Sequence, residues 1–178
     1  MTNRIQELTV NDVWRDEQDA WNNRSNYFVE MHNRDDRKAQ VTEFLSFLKD
    51  ENLLPPKGGC TLDIGCGVCD YALGLAREGH KATGIDLSDG MIRGAKQLAE
   101  AEGLDLSLYI APWSDETRRE LKWDKTFDLT YSIFCPIMFD VENIRAMHES
   151  SKDKCLWIAF SERSDETVDM LSEHFFGR

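Results

Sequence analysis

Two carboxylates and two glycines carry the chemistry most legible in this chain. In Leu62-Asp63-Ile64-Gly65-Cys66-Gly67-Val68-Cys69-Asp70-Tyr71, an acid stands two residues before a glycine pair, and a second acid, Asp86, follows Gly67 by nineteen residues. Gly65 and Gly67 let the backbone turn sharply and approach a ligand with no Cβ in the way. A helix starting after the turn points its free N–H groups and positive dipole end into the same space. The spacing to Asp86 is the one at which a carboxylate reaches the ribose hydroxyls of a bound nucleoside. Both hydroxyls are donors that one carboxylate accepts. A mere capping role for Asp86 competes poorly, because Ser88 and Asp89 already serve the next helix. The dinucleotide fingerprint G-x-G-x-x-G needs a third glycine where this chain has Asp70. Asp63 also suits a cationic ligand better than a pyrophosphate, which it would repel.

The elements that must hold these residues follow from the apolar pattern. Cys60 to Ile64 reads as a strand, and Tyr71, Ala72, Leu75 and Ala76 lie on one face of a helix, giving the first half of a βαβ unit. Gly79 stops that helix, and Lys81 to Asp86 is the second strand. Met91, Ile92, Ala95, Leu98 and Ala99 line a second helix that stops at Gly103. Leu104 to Ile110, Phe127 to Ser132 and Lys154 to Phe160 supply the third, fourth and fifth strands, and Val168, Leu171 and Phe175 begin a further helix. Residues 1 to about 55 read as helical, with Val41, Phe44, Leu45 and Leu48 at i, i+3, i+4 and i+7. Pro55-Pro56-Lys57-Gly58-Gly59 then breaks the chain. The expected organisation is a helical extension or lid over residues 1–56 and an α/β core over 57–178.

Composition narrows the partners. With 178 residues, 41% hydrophobic and 10% aromatic, the chain can bury a core. A formal charge of −12 argues against a nucleic-acid backbone or an anionic membrane as partner, since both need a basic patch. Met1 to Glu7 lacks the apolar stretch of a leader, and no segment approaches membrane-spanning length, so a cytoplasmic location is expected. Five cysteines make an odd count, which fits free thiols in a reducing compartment. Cys60 and Cys155 fall in strands, as small hydrophobes. Cys66 and Cys69 form a lone CxxC, read as loop residues around a ligand before a zinc or redox pair, and no metal is expected.

Asp63-x-Gly65-x-Gly67 followed by Asp86 resembles motif I and the ribose-binding acid of the class I S-adenosylmethionine-dependent methyltransferases, type 11-like. Their usual pattern is D/E-x-G-x-G-x-G, and Cys69 replaces the third glycine here. The resemblance covers roughly residues 60 to 160. It implies a three-layer Rossmann-like sandwich, mostly parallel, of order 3-2-1-4-5 counted from the Cys60 strand, with the usual sixth and seventh strands apparently missing. An apolar fifth strand left at the edge would invite pairing, so a truncated chain or self-association through that edge is expected.

The same resemblance implies S-adenosylmethionine as cofactor, leaving S-adenosylhomocysteine. Asp63, Gly65, Cys66, Gly67 and Met91 would line its site, Asp86 would hold the ribose, and Leu87 would lie against the adenine. Pro112 and Trp113 replace the acid that many relatives place after the third strand; Trp113 either stacks on adenine or packs beside the loop. Ser132 to Pro136 would face the glycine loop across the crevice, and Tyr27, with Trp21, would cover the methionine end. Cys135 would then lie opposite Cys66 and Cys69, so three thiols could converge as they would for a thiophilic substrate. Phe134-Cys135-Pro136-Ile137 lacks the polar head and aromatic of the base-methylating N/D-P-P-Y/F motif.

The implied reaction is methyl transfer to a small-molecule acceptor, for which positioning and exclusion of water matter most. No general base stands out; Tyr27, His32 and Tyr131 are candidates. A cofactor- or nucleotide-binding module without transfer activity, and an NAD-linked oxidoreductase, are the other classes. Asp63 and the absent third glycine count against the latter.

Overall fold

Strand residues are buried on both faces of the sheet, where helices cover them, as parallel strands require. The computed structural model describes residues 3–8 and 12–160. In chain order the strands are β1 (Ile5–Glu7), β2 (Cys60–Ile64), β3 (Lys81–Asp86), β4 (Ser107–Ile110), β5 (Phe127–Ile133) and β6 (Ser151–Ile158). The helices are α1 (Arg15–Asn22), α2 (Ser25–His32), α3 (Asp35–Asp50), α4 (Asp70–Arg77), α5 (Asp89–Glu102), α6 (Asp115–Glu120) and α7 (Val141–Ser150). All described pairings are parallel.

The sheet order is β1-β4-β3-β2-β5-β6. This corrects the expected five-strand sheet to six: counted from Cys60, β4-β3-β2-β5-β6 keeps the sequence 3-2-1-4-5, and a further strand precedes it at the edge. A sixth strand, Ile5–Glu7, comes from the segment read as helical and takes the edge beside β4, with Ile5 opposite Leu108 and Glu7 opposite Ile110. Its three residues have little strand character of their own. Asn3 docks them: its side-chain amide donates to Leu104 O at 3.2 Å and its side-chain oxygen accepts from Leu106 N at 2.7 Å. The helix expected at Val168, Leu171 and Phe175, and any strands after β6, lie outside the described residues.

One face of the sheet carries α4 and α5, with α1 and α2 packed on α5 and α3 on α4. Ala72, Leu73, Ile92, Ala95 and Leu108 fill the centre of that layer, and Phe44, Leu48, Leu75, Leu129 and Tyr131 fill it beneath α3. The other face carries α6 and α7 over Leu62, Ile64, Ile85, Trp123 and Met147. Arg118, only 2% exposed, fastens this side by pairing with Asp115, Asp124 and Glu149. Among the described residues no helix is long and apolar enough to cross a membrane.

Because Asn3 supplies two partly buried hydrogen bonds, Asn3→Ala should cost about 1–2 kcal/mol in urea unfolding. Amide exchange at Leu8, which donates to Ile110 O, should accelerate more than exchange in β2.

Candidate functional site

The glycine turn lies beyond the carboxyl end of β2, between β3 and β5, where parallel sheets bind ligands. Gly65 N and Cys66 N both donate to Ile85 O, at 2.9 and 3.1 Å. Gly65, Gly67 and Cys69 all have positive φ, at 68°, 54° and 63°. Position 69 is thus the αL step where a glycine would be unstrained; a non-glycine residue there costs roughly 1–2 kcal/mol. A Cβ on Gly67 would meet nothing nearer than Met91 Sδ at 4.0 Å, so the space over this backbone is open to a ligand. Gly65 is closed on its other side, where a Cβ would come within 2.2 Å of Cys135 Sγ.

Asp86 fixes the turn from the neighbouring strand. Its Oδ2 accepts from Gly67 N and its Oδ1 from Ser88 N, both at 2.8 Å. Burial raises its pKa, while those two backbone bonds pull it down. A carboxylate has about four acceptor positions, so two remain for a ligand's paired hydroxyls. Around it, Leu87 O accepts from Gln18 Nε2 at 3.0 Å, and Asn22 Oδ1 accepts from Ser88 Oγ at 2.6 Å and Gly90 N at 3.1 Å. The first helix therefore holds the loop after β3, a role that no spacing in the sequence announced.

Asp63 and Tyr131 occupy paired register positions on β2 and β5. They are 2% and 0% exposed, yet Asp63 Oδ2 and the Tyr131 hydroxyl have no hydrogen-bond partner. Burial pushes the Asp63 carboxyl up to about 8; the nearby Tyr131 hydroxyl pulls the other way without closing a hydrogen bond. Asp70, in the first turn of α4, is satisfied instead: its Oδ1 meets His32 Nδ1 at 2.5 Å and its Oδ2 accepts from Arg37 Nε at 2.5 Å. His32 Nε2 lies 3.3 Å from Glu102 Oε1, whose carboxylate is held by Arg77 at 2.6 Å. His32 is thus built into a network joining α2, α4 and α5.

The thiols divide into two places. Cys66 and Cys69 Sγ lie 3.0 Å apart over Gly84, where a Cβ would come within 2.5 Å of Cys69 Sγ. Cys135 sits against Gly65 instead. The expected convergence of three thiols is not formed, and among the described residues no group of three His, Cys, Asp or Glu side chains could hold a metal ion. Burial raises the pKa of Cys66 well above its usual value and that of Cys135 to about 12, so both are poor nucleophiles at neutral pH.

Other expected residues are more dispersed. Met91 is buried beside the turn, and Leu87 is half-buried next to Asp86. Ser132 is fully buried and donates to Ile64 O at 2.8 Å, tying β5 to the end of β2. Pro112 is half-buried, with its carbonyl accepting from Thr117 Oγ1. Trp113 is not presented to the crevice: it is 4% exposed within the α7-side core, and its indole N–H donates to Asn143 O at 3.1 Å. Tyr27 does not fold over the turn either; it is 58% exposed, its ring edge-on to Phe28 at 5.6 Å. Beyond the ends of β5 and β6 lies a cleft of about 320 Å³ lined by Gln40, Glu43, Phe44, Phe47, Tyr71, Ile133, Phe134 and Ile158. A larger hollow of about 460 Å³ is lined by His32, Arg37, Val41, Asp70, Gly74 and Arg77, among others, between α2, α3, α4 and α5.

Residues 61–153 match the family model described as "Methyltransferase domain". A protein of Geobacillus sp. (strain WCH70) assigned as a methyltransferase is 36% identical over 74 residues, covering 42% of this chain and 28% of that protein. The 23S rRNA (uracil(1939)-C(5))-methyltransferase RlmD of Shewanella amazonensis is 39% identical over 64 residues, covering 35% of this chain and 14% of that one. The chain thus spans less than a third of the length of these curated relatives. Among solved structures, the magnesium protoporphyrin IX methyltransferase of Synechocystis PCC 6803 with bound S-adenosylhomocysteine superposes with a TM-score of 0.56 at 18% identity. That match covers 97% of this chain and 71% of that one, and shows a common fold.

The raised Asp63 pKa has a stability consequence. The unfolded chain gives up this proton near the ordinary carboxyl value of 3.8, whereas the folded chain keeps it to about pH 8. Between these limits folding stability falls as pH rises, by at most about 1.4 kcal/mol per pH unit for this group. Asp63→Asn should therefore melt above the wild type at pH 9, with the gap narrowing toward pH 5 in paired thermal scans.

Proposed function

The chain belongs to the methyltransferase-domain family, and from that premise we propose that it moves a methyl group from S-adenosylmethionine to a small-molecule acceptor. The observation that carries this reading is Asp86, locked between Gly67 N and Ser88 N with acceptor positions to spare. The cofactor is S-adenosylmethionine. The residues present fit it: the open backbone at Gly67 leaves room for a ligand, and the unpartnered buried Asp63 Oδ2 calls for one that brings a donor.

When bound, the cofactor supplies a methyl group already activated by its sulfonium, so no nucleophilic residue is demanded of the protein. The chain's own residues bind and orient. Asp86 accepts the ribose hydroxyls, Leu87 and Met91 border the nucleoside, and the 65–67 backbone lies along the methionine end. Gln18 and Asn22 hold the loop after β3 in register, so α1 acts as a cap on that loop. The cleft beyond β5 and β6 takes the acceptor. Its aromatic lining excludes water from the approach to the methyl group, and holding the acceptor in line is where rate is gained. Together with the charge of −12, that lining favours an uncharged or cationic small molecule over a nucleic acid.

Calorimetric titration with S-adenosylhomocysteine tests the cofactor site. Wild type should bind, and Asp86→Ala should bind about ten- to a hundredfold more weakly, the equivalent of roughly 1.5–3 kcal/mol for a charge-assisted pair. Equal affinity in both proteins overturns the assignment of Asp86, and no binding by wild type overturns the cofactor reading.

A further inference from the structure

Two thiols stand at the glycine turn with no part in the methyl transfer. The Cys66 and Cys69 sulfurs lie 3.0 Å apart, and a disulfide needs about 2.05 Å between sulfurs and roughly 4.4–6.8 Å between Cα atoms. Cys69 N donates to Cys66 O at 2.8 Å, and a turn closed in that way keeps its end Cα atoms within about 7 Å. Both sulfurs share one space: a Cβ on Gly84 would come within 2.5 Å of Cys69 Sγ and 2.9 Å of Cys66 Sγ. Cys69 is the N-cap residue of α4, yet its side chain caps no N–H of that helix. Cys66 is half-buried and Cys69 buried, so one thiol faces an incoming reagent and the other lies behind it. Cys135 sits apart, against Gly65.

We propose that Cys66 and Cys69 are a reversible disulfide site, a clasp that closes across Gly67 and Val68 in the presence of a small-molecule disulfide. The Cys66 thiolate attacks one sulfur of the reagent, breaking its S–S bond and releasing one small thiol. The Cys69 thiolate then attacks Cys66 Sγ, forming the Cys66–Cys69 bond and releasing the second small thiol. The two thiol protons end on the two released thiols, and the two electrons taken from the protein reduce the reagent. Burial keeps both protein thiols protonated, so the exchange is slow at neutral pH and quickens as pH rises.

The clasp acts on the turn that receives the cofactor. Cys69 holds a φ of 63°, a left-handed step that strains a residue with a Cβ, and opening the turn relieves that strain. A bond from Cys66 to Cys69 removes the open conformations and keeps Gly67 N on Asp86 Oδ2, the contact it makes at 2.8 Å. A turn pre-organised in its binding form binds more tightly. The bond itself requires no cofactor, while its effect on affinity rests on the cofactor reading above.

The test starts from the reduced full chain, held with glutathione disulfide at about pH 8.5, the ordinary thiol pKa. The chain is then alkylated with iodoacetamide in denaturant and digested with trypsin. The peptide from Gly58 to Arg77 carries Cys60, Cys66 and Cys69. It should lose two hydrogens and take one alkyl group, on Cys60, and dithiothreitol should reverse the change. Cys69→Gly, which suits the left-handed step, should stop at a mixed disulfide between Cys66 and glutathione. The oxidised wild type should bind S-adenosylhomocysteine about two- to tenfold more tightly than the reduced protein, and its Gly67 amide should exchange more slowly. Full alkylation of Cys66 and Cys69, a mixed disulfide that persists in wild type, or a bond from Cys66 to Cys60 or Cys135 overturns the site. Equal or weaker affinity in a chain whose bond is mapped, or unchanged exchange at Gly67, overturns the clasp while leaving the cofactor reading standing. Failure of both forms to bind the ligand overturns the cofactor reading alone, and the mapped bond with Gly67 exchange then decides the clasp.

Discussion

The Asp86 carboxylate, shared between Gly67 N and Ser88 N, is the constraint on which the site depends. It joins the end of β3 to the turn after β2, so two loops that would otherwise move separately act as one wall. Hydrogen bonds to an ionised acceptor are among the stronger ones available. Here they are made to backbone groups, which leaves the choice of neighbouring side chains free. The α1 residues Gln18 and Asn22 extend the same wall by holding Leu87, Ser88 and Gly90 from outside. The first helix thus supports the loop after β3, where the resemblance had placed Trp21 and Tyr27 over the methionine end. Trp21 packs with the α5 cluster and Tyr27 faces outward.

The cysteines show how a departure from a motif is absorbed. Cys69 stands where the family pattern has its third glycine, and it adopts the φ of 63° that a glycine would take without strain. Its Sγ lies over Gly84 beside Cys66 Sγ, in room available only because position 84 has no Cβ. The cost of one αL residue is thereby set against a filled space in the core. Gly65 and Cys135 stand in the same relation across the crevice: a missing Cβ on one loop admits the side chain of the other. Two glycine–cysteine contacts therefore bring β2, β3 and the segment after β5 close around the turn.

Charge is distributed unevenly in this site. Asp70 is bonded by His32 and Arg37 beneath α2 and α3, and Arg118 gathers three carboxylates on the opposite face of the sheet. Asp63 has no such partner. A buried acid without a cation is unfavourable in a structural core, and in this Asp63 stands apart from Asp70 and Asp115.

Local sequence alone determined the five strands between Cys60 and Ile158 and the helices α4 and α5, which are amphipathic and have glycines where they end. It also determined the turn and Asp86, whose identities and spacing are properties of the chain. Tertiary structure decided what spacing does not encode. The edge strand Ile5–Glu7 exists because β4 offers an open ladder and Asn3 anchors the approach; three residues carry no periodicity from which to read it. Trp113 went to the core because its N–H found Asn143 O thirty residues away. The pairing of Asp63 with Tyr131 rests on the register between β2 and β5. Side chains from distant segments meet only once strands are aligned, and that alignment is a property of the assembled sheet.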